Sequence, residues 1–388
     1  MPSKSLEASP AMARLLRERR RELGLTLREV QKLTQESGKP IPHSTLARIE
    51  SGRLDPGVRR LQQLLRLYRL PAQAAGDLLD LESIAGAVPF ERDPIKLRDQ
   101  AIDAWQKGRI PEAMACFIEF RERLGKSRDI PAEIRHQAVL DFAIAASALG
   151  KHRIARHLLE ELLLEKPDVP ILAATLMQLS VSWRALGSSE AALAFLDRAA
   201  FHTGPRDYRR RLWVEQQRAL ILMDAKQFEA AARHLDLALA ASRQAKSPRD
   251  QVRLLLSFAH LHYDAGRGQE AVAAGRRAEA YARRHGFARS RLFAQLETAR
   301  GLLLLPDIAA SRALLRSVLA DSLTSDDNVI RFYAHYYLWK VELAGGEPAR
   351  ADVELREAAY FVGFVDATSP EVVEVRERLG RDVNKPVP

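Results

Sequence analysis

A short pattern recurs along most of this chain and restricts what it can fold into. A glycine is followed five residues later by an alanine, and four residues after that by a large side chain. Gly108, Ala113 and Phe117 form one copy. Gly150, Ala155 and Leu159 form the next, then Gly187, Ala192 and Leu196. Lys226 replaces the glycine ahead of Ala231 and Leu235. Gly266 and Ala271 follow, with Gly275 where the large residue stood, and Gly346, Ala351 and Leu355 close the series. A weaker copy has Ala310 and Leu314, so the marker alanines lie 37 to 42 residues apart. Each copy reads as a helical hairpin. The glycine permits a tight turn, the alanine lets the second helix approach the first, and the large residue fills the groove between neighbours. One hairpin cannot bury its apolar face alone, but a stack can. The expected fold class is all-α: a small helical bundle, then an α-solenoid of about seven helical hairpins.

Composition agrees with that expectation. The 388 residues are 47% hydrophobic and 28% charged, enough apolar material to exclude wholesale disorder. Aromatics are only 6%, and Ala, Leu, Arg and Glu dominate, which favours helices. The single cysteine, Cys116, excludes a disulfide framework and a thiolate zinc site, and it falls in a repeat helix as a small core residue. The first ten residues carry no apolar leader, and no apolar run approaches the ~18 residues of a membrane span. A soluble cytoplasmic protein with no membrane contact is expected. The histidine pairs His152/His157 and His260/His262 do not share a helix face at ligand spacing. No HExxH, phosphate-cradling glycine loop or Gly-x-Ser-x-Gly elbow occurs, so no catalytic residue, metal or cofactor is assigned and no enzyme is expected.

The charge is concentrated at one end. Residues 1–70 hold 15 Lys/Arg and 7 Asp/Glu, a charge of +8, whereas the remainder holds 45 and 43, or +2. A basic head on a near-neutral body points to a polyanionic partner for the head, although a small basic region can also be merely soluble. After a flexible stretch over 1–11, helical spacing runs from Met12 through Leu15, Leu16 and Leu23 to Gly24. Thr26 and Glu29 form a capping box for a second helix carrying Val30 and Leu33. Gly38, Pro40 and Pro42 break it, and a short third helix spans His43 to Ser51, closed by Gly52. A fourth helix carries Val58, Leu61, Leu64, Leu65 and Leu67 and stops before Pro71. One more helix is expected from Ala72 to about Ser83, then a linker over 84–94 with prolines at 89 and 94. The domains are thus 12–83, 95–380 and a tail at 381–388.

Leu16-Arg17-x-x-Arg20, Gly24-Leu25-Thr26, Ser44-x-Leu46-x-x-Ile49-Glu50-x-Gly52, Pro56 and Leu61, in that order, resemble the XRE family, the lambda-repressor/Cro type of helix-turn-helix. The likeness covers about 60 residues and is most specific in Leu46-x-x-Ile49-Glu50-x-Gly52. Three departures stand out. Gln31 occupies a position usually held by a small alanine, Leu27 stands where a glutamine is common, and the turn is longer and carries two prolines. The resemblance implies that the third helix enters the DNA major groove. His43, Ser44, Thr45, Ala47 and Arg48 would face the bases, while Leu46 and Ile49 face the core. Arg48 is the candidate for bidentate contact with guanine, or alternatively pairs with a carboxylate. Arg17, Arg28, Lys32, Lys39, Arg53, Arg59 and Arg60 are phosphate candidates; the alternative for each is a solvated face. Glu50 is expected to be structural, since phosphate repels a carboxylate.

The repeats resemble tetratricopeptide repeats, with terminal alanines at Ala199, Ala238, Ala278 and Ala358, but with a period nearer 40 than 34. An XRE head on such a body resembles peptide-sensing bacterial regulators. Those grip peptide backbone with asparagines, and here asparagine occurs only at positions 328 and 384. A groove would have to use other side chains: Arg209, Arg210, Trp213, Tyr263, Arg276 and Arg277. The clusters Arg206/Arg209/Arg210/Arg211 and Arg276/Arg277/Arg283/Arg284 with Arg289/Arg291 would receive an acidic partner or flanking DNA, or form a solvated outer face. Trp183, Tyr281 and the run Phe332-Tyr333-x-x-Tyr336-Tyr337-x-Trp339 line a groove or simply pack between helices. The resulting expectation is a DNA-binding transcription regulator, a repressor acting as a homodimer on double-stranded DNA and sensing a peptide or protein. A protein-interaction scaffold or adaptor, or an autoregulating antitoxin or phage-defence regulator with a protein partner, is the alternative.

Overall fold

The computed structural model describes residues 9–36, 38–70, 75–76, 78–79, 91, 93–124, 130–204, 206–323, 327–365 and 367–382. They are helical with short turns, and the chain divides into two compact units, 1–86 and 87–388. Most of the expected helix over 72–83, the linker 84–94 and the two termini lie outside the described residues.

Among its described residues the first unit holds α1 (Pro10–Glu22), α2 (Leu27–Glu36), α3 (His43–Glu50) and α4 (Gly57–Leu67), with further helical residues at 75–76 and 78–79. Ser9 caps α1 through its hydroxyl, with Pro10 at the first helical position. Thr26 and Glu29 form the expected capping box: Thr26 N–H donates to Glu29 Oε2 at 2.7 Å, and Glu29 N–H donates to Thr26 Oγ1 at 3.2 Å. That bonding holds the Glu29 carboxyl below its ordinary pKa. Leu16, Val30, Ile41, Leu46, Ile49, Leu64 and Tyr68 form the core. Two expected core positions are corrected. Leu33 and Val58 face solvent, while Thr34, one turn beyond Val30, is buried. The Thr34 hydroxyl accepts from Ile41 N–H at 3.0 Å, satisfying a buried donor that a leucine would have orphaned.

The second unit has seven hairpins and a final helix. They pair α5 (Pro94–Gln106) with α6 (Ile110–Leu124), α7 (Ala132–Ala148) with α8 (His152–Leu164) and α9 (Val169–Ala185) with α10 (Ser189–Phe201). Next come α11 (Tyr208–Asp224) with α12 (Phe228–Ala245) and α13 (Pro248–Asp264) with α14 (Gly268–Arg284). The last two pair α15 (Ala288–Leu304) with α16 (Ile308–Ser322) and α17 (Asn328–Ala344) with α18 (Pro348–Val362), and α19 (Pro370–Asp382) follows. Ala113, Ala155, Ala192, Ala231, Ala271 and Ala351 are each fully buried.

The sixth hairpin corrects the expected register by one residue. Ser311, not Ala310, is the buried small residue, and Leu315, not Leu314, is the fully buried large one. The Ser311 hydroxyl donates to Ala299 O on the facing helix at 2.9 Å, so a polar side chain fits where alanine serves elsewhere. Gly275 has a different reason for breaking the pattern. A Cβ there would lie 2.4 Å from Thr298 Oγ1, and one at Gly301 would lie 2.9 Å from Val272 N. Helices α14 and α15 therefore approach too closely for a large residue.

The array also closes on itself. Arg289, at the start of α15, donates to Ala148 O at the end of α7 and pairs with Asp327 at 2.6 Å. Thr368, just before α19, donates through N–H (2.8 Å) and hydroxyl (3.1 Å) to Ala185 O at the end of α9. These are helix C-terminal carbonyls, which lack intrahelical partners. Gly187, at φ +84°, sits so close that a Cβ would be 2.7 Å from Thr368 Oγ1.

Two outcomes are expected. Gly187→Val strains a left-handed backbone and pushes into Thr368; a loss of about 1–3 kcal/mol is expected, read by thermal unfolding, with a larger radius by X-ray scattering. Arg20 and Glu50, whose carboxylate takes two bonds of 2.7 Å from the guanidinium, form a buried pair joining α1 to α3. Arg20→Met is expected to destabilise the protein by about 3–5 kcal/mol in denaturant unfolding, because it leaves a buried carboxylate without its cation.

Candidate nucleic-acid interface

Helix α3 divides cleanly by environment. Leu46, Ile49 and Glu50 are buried; His43, Ser44, Ala47 and Arg48 are exposed, and Thr45 is half-buried. This follows from the helical period, which places Leu46 and Ile49 on one face and Ser44, Ala47 and Arg48 on others. The five expected base-facing residues thus share a short, accessible surface.

Polar bonds from α2 and α4 position that surface. Pro42 precedes α3 and offers no capping side chain. Gln31 supplies the cap from α2: its Oε1 accepts from His43 N–H at 2.8 Å and lies 2.9 Å from His43 Nδ1. In the long turn, Gln63 on α4 donates to Lys39 O at 2.8 Å, and Thr34 holds Ile41 N–H. In the sequence Gln31 stands out only as a departure. The available signal was a polar residue at a small apolar position, twelve residues ahead of an uncapped helix start.

Beneath α3 the charges are spent. Glu50 is held by Arg20, with Tyr68 Oη 3.5 Å away; the pair raises the Arg20 pKa, and burial raises that of Tyr68. Glu50 is structural. Arg19 likewise pairs with Glu22 at 2.7 Å. On the surface the balance is reversed. Arg28, Lys32, Lys39, Arg48, Arg53, Arg59 and Arg60 are exposed and Arg17 half-buried, and among the described residues none of the eight pairs with a carboxylate. Such a set of uncompensated cations on one small unit is what a polyanion requires.

Of the six expected groove residues in the array, Arg209 and Trp213 are brought together. Arg209 stacks 4.7 Å from the Trp213 ring, and both bond the buried Asp250, at 3.0 and 2.7 Å. Arg210 is turned to Asp207 and Pro170 O. Tyr263 packs under Arg300, 4.0 Å from its guanidinium. Arg276 and Arg277 lie on the exposed face of α14 and join none of these. Of the basic clusters, Arg283, Arg289 and Arg291 pair with Glu279, Asp327 and Asp321. Phe332, Tyr336, Tyr337 and Trp339 are buried in the last hairpins' core, and their packing role prevails. Trp183 stacks under Arg156.

Cys116 is buried, and burial pushes its thiol up to about 11, the character of an inert core residue. Burial pushes His152 down to about 4. Among the described residues, no cluster of three or more His, Cys, Asp or Glu could hold a metal ion, and no helix is long and apolar enough to cross a membrane.

No curated protein matches this sequence. A tetratricopeptide repeat protein from Parabacteroides merdae has a similar structure, with 17% identity over 75% of this chain and 99% of that one, at a TM-score of 0.44. Bacillus thuringiensis PlcR, solved in complex with the peptide PapR7 and DNA, is similar at 13% identity over 97% of this chain and 100% of that one, at a TM-score of 0.32. Residues 11–78 match the family described as a helix-turn-helix domain. The chain therefore joins an N-terminal helix-turn-helix domain, over those residues, to an α-solenoid of seven helical hairpins.

Proposed function

We propose that this protein is a sequence-specific transcription regulator of the XRE kind, in which α3 enters the major groove and the array dimerises and senses a peptide or protein. The observation that carries the reading is that eight cations of the first unit, seven exposed and Arg17 half-buried, have no carboxylate partner among the described residues, and that one of them, Arg48, stands on the exposed face of α3. Phosphate contacts from Arg17, Arg28, Lys32, Lys39, Arg53, Arg59 and Arg60 position the unit, and Arg48 reads guanine. A single α3 buries too little surface for tight specific binding, so two copies on half-sites one turn apart are required. A ligand acts on such a dimer only by preferring one curvature of the array. The seam made by Arg289 and Thr368 is the natural element for that choice.

The test is fluorescence anisotropy on the DNA upstream of the protein's own gene, with scrambled DNA as control. Arg48→Ala is expected to cost about 1–3 kcal/mol on the upstream DNA and little on scrambled DNA. Lys39→Ala is expected to weaken both alike and to flatten the slope of log K against log salt by about 1. Equal, weak binding to both DNAs, indifferent to Arg48→Ala, would overturn the reading in favour of a scaffold. Sedimentation equilibrium at micromolar concentration is expected to give twice the 43.5 kDa chain mass; a monomer, free and on DNA, would exclude the two-half-site arrangement.

A further inference from the structure

The cap on α3 determines which hydrogen-bonding group His43 offers to a base. The main-chain N–H of His43 is purely a donor, and it lies 2.8 Å from the end of the Gln31 side chain. That end is therefore the carbonyl oxygen, and the amide cannot be turned the other way round. The same oxygen has a second lone pair and lies 2.9 Å from His43 Nδ1. Two acceptors facing each other would repel, so Nδ1 carries the proton. A neutral imidazole has one N–H, so Nε2 is left with its lone pair. Among the described residues no group bonds Nε2, and the side chain is exposed at the N-terminal end of α3, the end that meets base edges in this type of domain.

We infer that His43 is a specificity-determining residue that selects a base offering an exocyclic amine, adenine or cytosine, because Gln31 locks its ring with an acceptor facing outward. This rests on α3 reading DNA. In the major groove only adenine N6 and cytosine N4 donate; guanine O6 and N7 and thymine O4 accept. A lone pair at Nε2 bonds the first two and is repelled by the others. It is also repelled by phosphate, so the neutral ring is not a backbone contact. Arg48, donor only, makes the opposite choice. Helix α3 thus presents an acceptor at its start and donors near its end. Gln31 acts through His43, as a positioning residue.

The experiment is selection from a library of randomised DNA duplexes by the full-length protein, followed by anisotropy on the selected site. The wild type is expected to enrich a motif in which one position is adenine or cytosine. His43→Ala is expected to flatten that position, by the about fivefold preference a single hydrogen bond supplies, while the remaining positions persist. Gln31→Met is expected to do the same by releasing the ring. A measurement without variants stands beside these. Replacing the selected adenine by purine, or the cytosine by its analogue lacking the 4-amino group, is expected to weaken wild-type binding about fivefold. A His43-dependent position that prefers guanine, or indifference to both His43→Ala and the missing amine, overturns the inference while leaving the regulator reading intact. Enrichment of no motif at all overturns both.

Discussion

The whole array depends on how closely two helices can approach, and that distance is set by the smallest residue between them. At Ala113, Ala155, Ala192, Ala231, Ala271 and Ala351 the small side chain is fully buried between helices. It lets each hairpin close tightly enough for the large residue one turn later to reach its neighbour. Where the approach is closest, between α14 and α15, even that large residue is given up for Gly275. Where a serine replaces the alanine, its hydroxyl finds a carbonyl on the facing helix. Apolar area drives the stacking, but the small positions decide whether any of it can be buried.

Charge is managed differently in the two units. In the array, arginines are largely spent on structure: Arg312 is bidentate with the buried Glu342, and Arg300 bridges Glu297, Asp264 and Glu371 while lying over Tyr263 and Tyr337. In the helix-turn-helix domain only Arg19 and Arg20, among the arginines discussed, are spent this way. The Arg20–Glu50 pair places the one carboxylate of α3 beneath the helix. It thereby removes from the candidate DNA face the charge that would most oppose phosphate. A structural ion pair and a functional surface are two consequences of one side chain's direction.

Much of this was legible in the sequence because it rests on spacing. The hairpin count, the four helices of the head and the inward turn of Leu46 and Ile49 all follow from period and turn chemistry. The misreadings share a cause: a polar residue satisfied by a distant group. Ser311 was passed over for Ala310 because nothing local says that its hydroxyl will meet Ala299 O. Thr34 lost to Leu33 because its partner, Ile41 N–H, lies across a turn of uncertain path. The groove candidates are dispersed for another reason: Arg209, Arg210 and Tyr263 are taken up by Asp250, Asp207 and Arg300 while Arg276 and Arg277 stay exposed, and charge alone does not say which arginines find partners. Closure of the array has no signal either, since Gly187 already has a sufficient explanation in the turn.

That closure changes what kind of polymer the array is. An open stack of hairpins is nearly one-dimensional: each unit contacts only its neighbours, and stability can be gained or lost piece by piece. Here Thr368 bonds Ala185 across 183 residues, and Arg289 bonds Ala148 across 141. On the ribosome, the carbonyls at the ends of α7 and α9 emerge first and stay hydrated until Arg289 and Thr368 follow, 141 and 183 residues later. Loosening a late element is then no longer a local event: freeing the start of α15 uncovers the end of α7, and freeing the segment before α19 uncovers the end of α9.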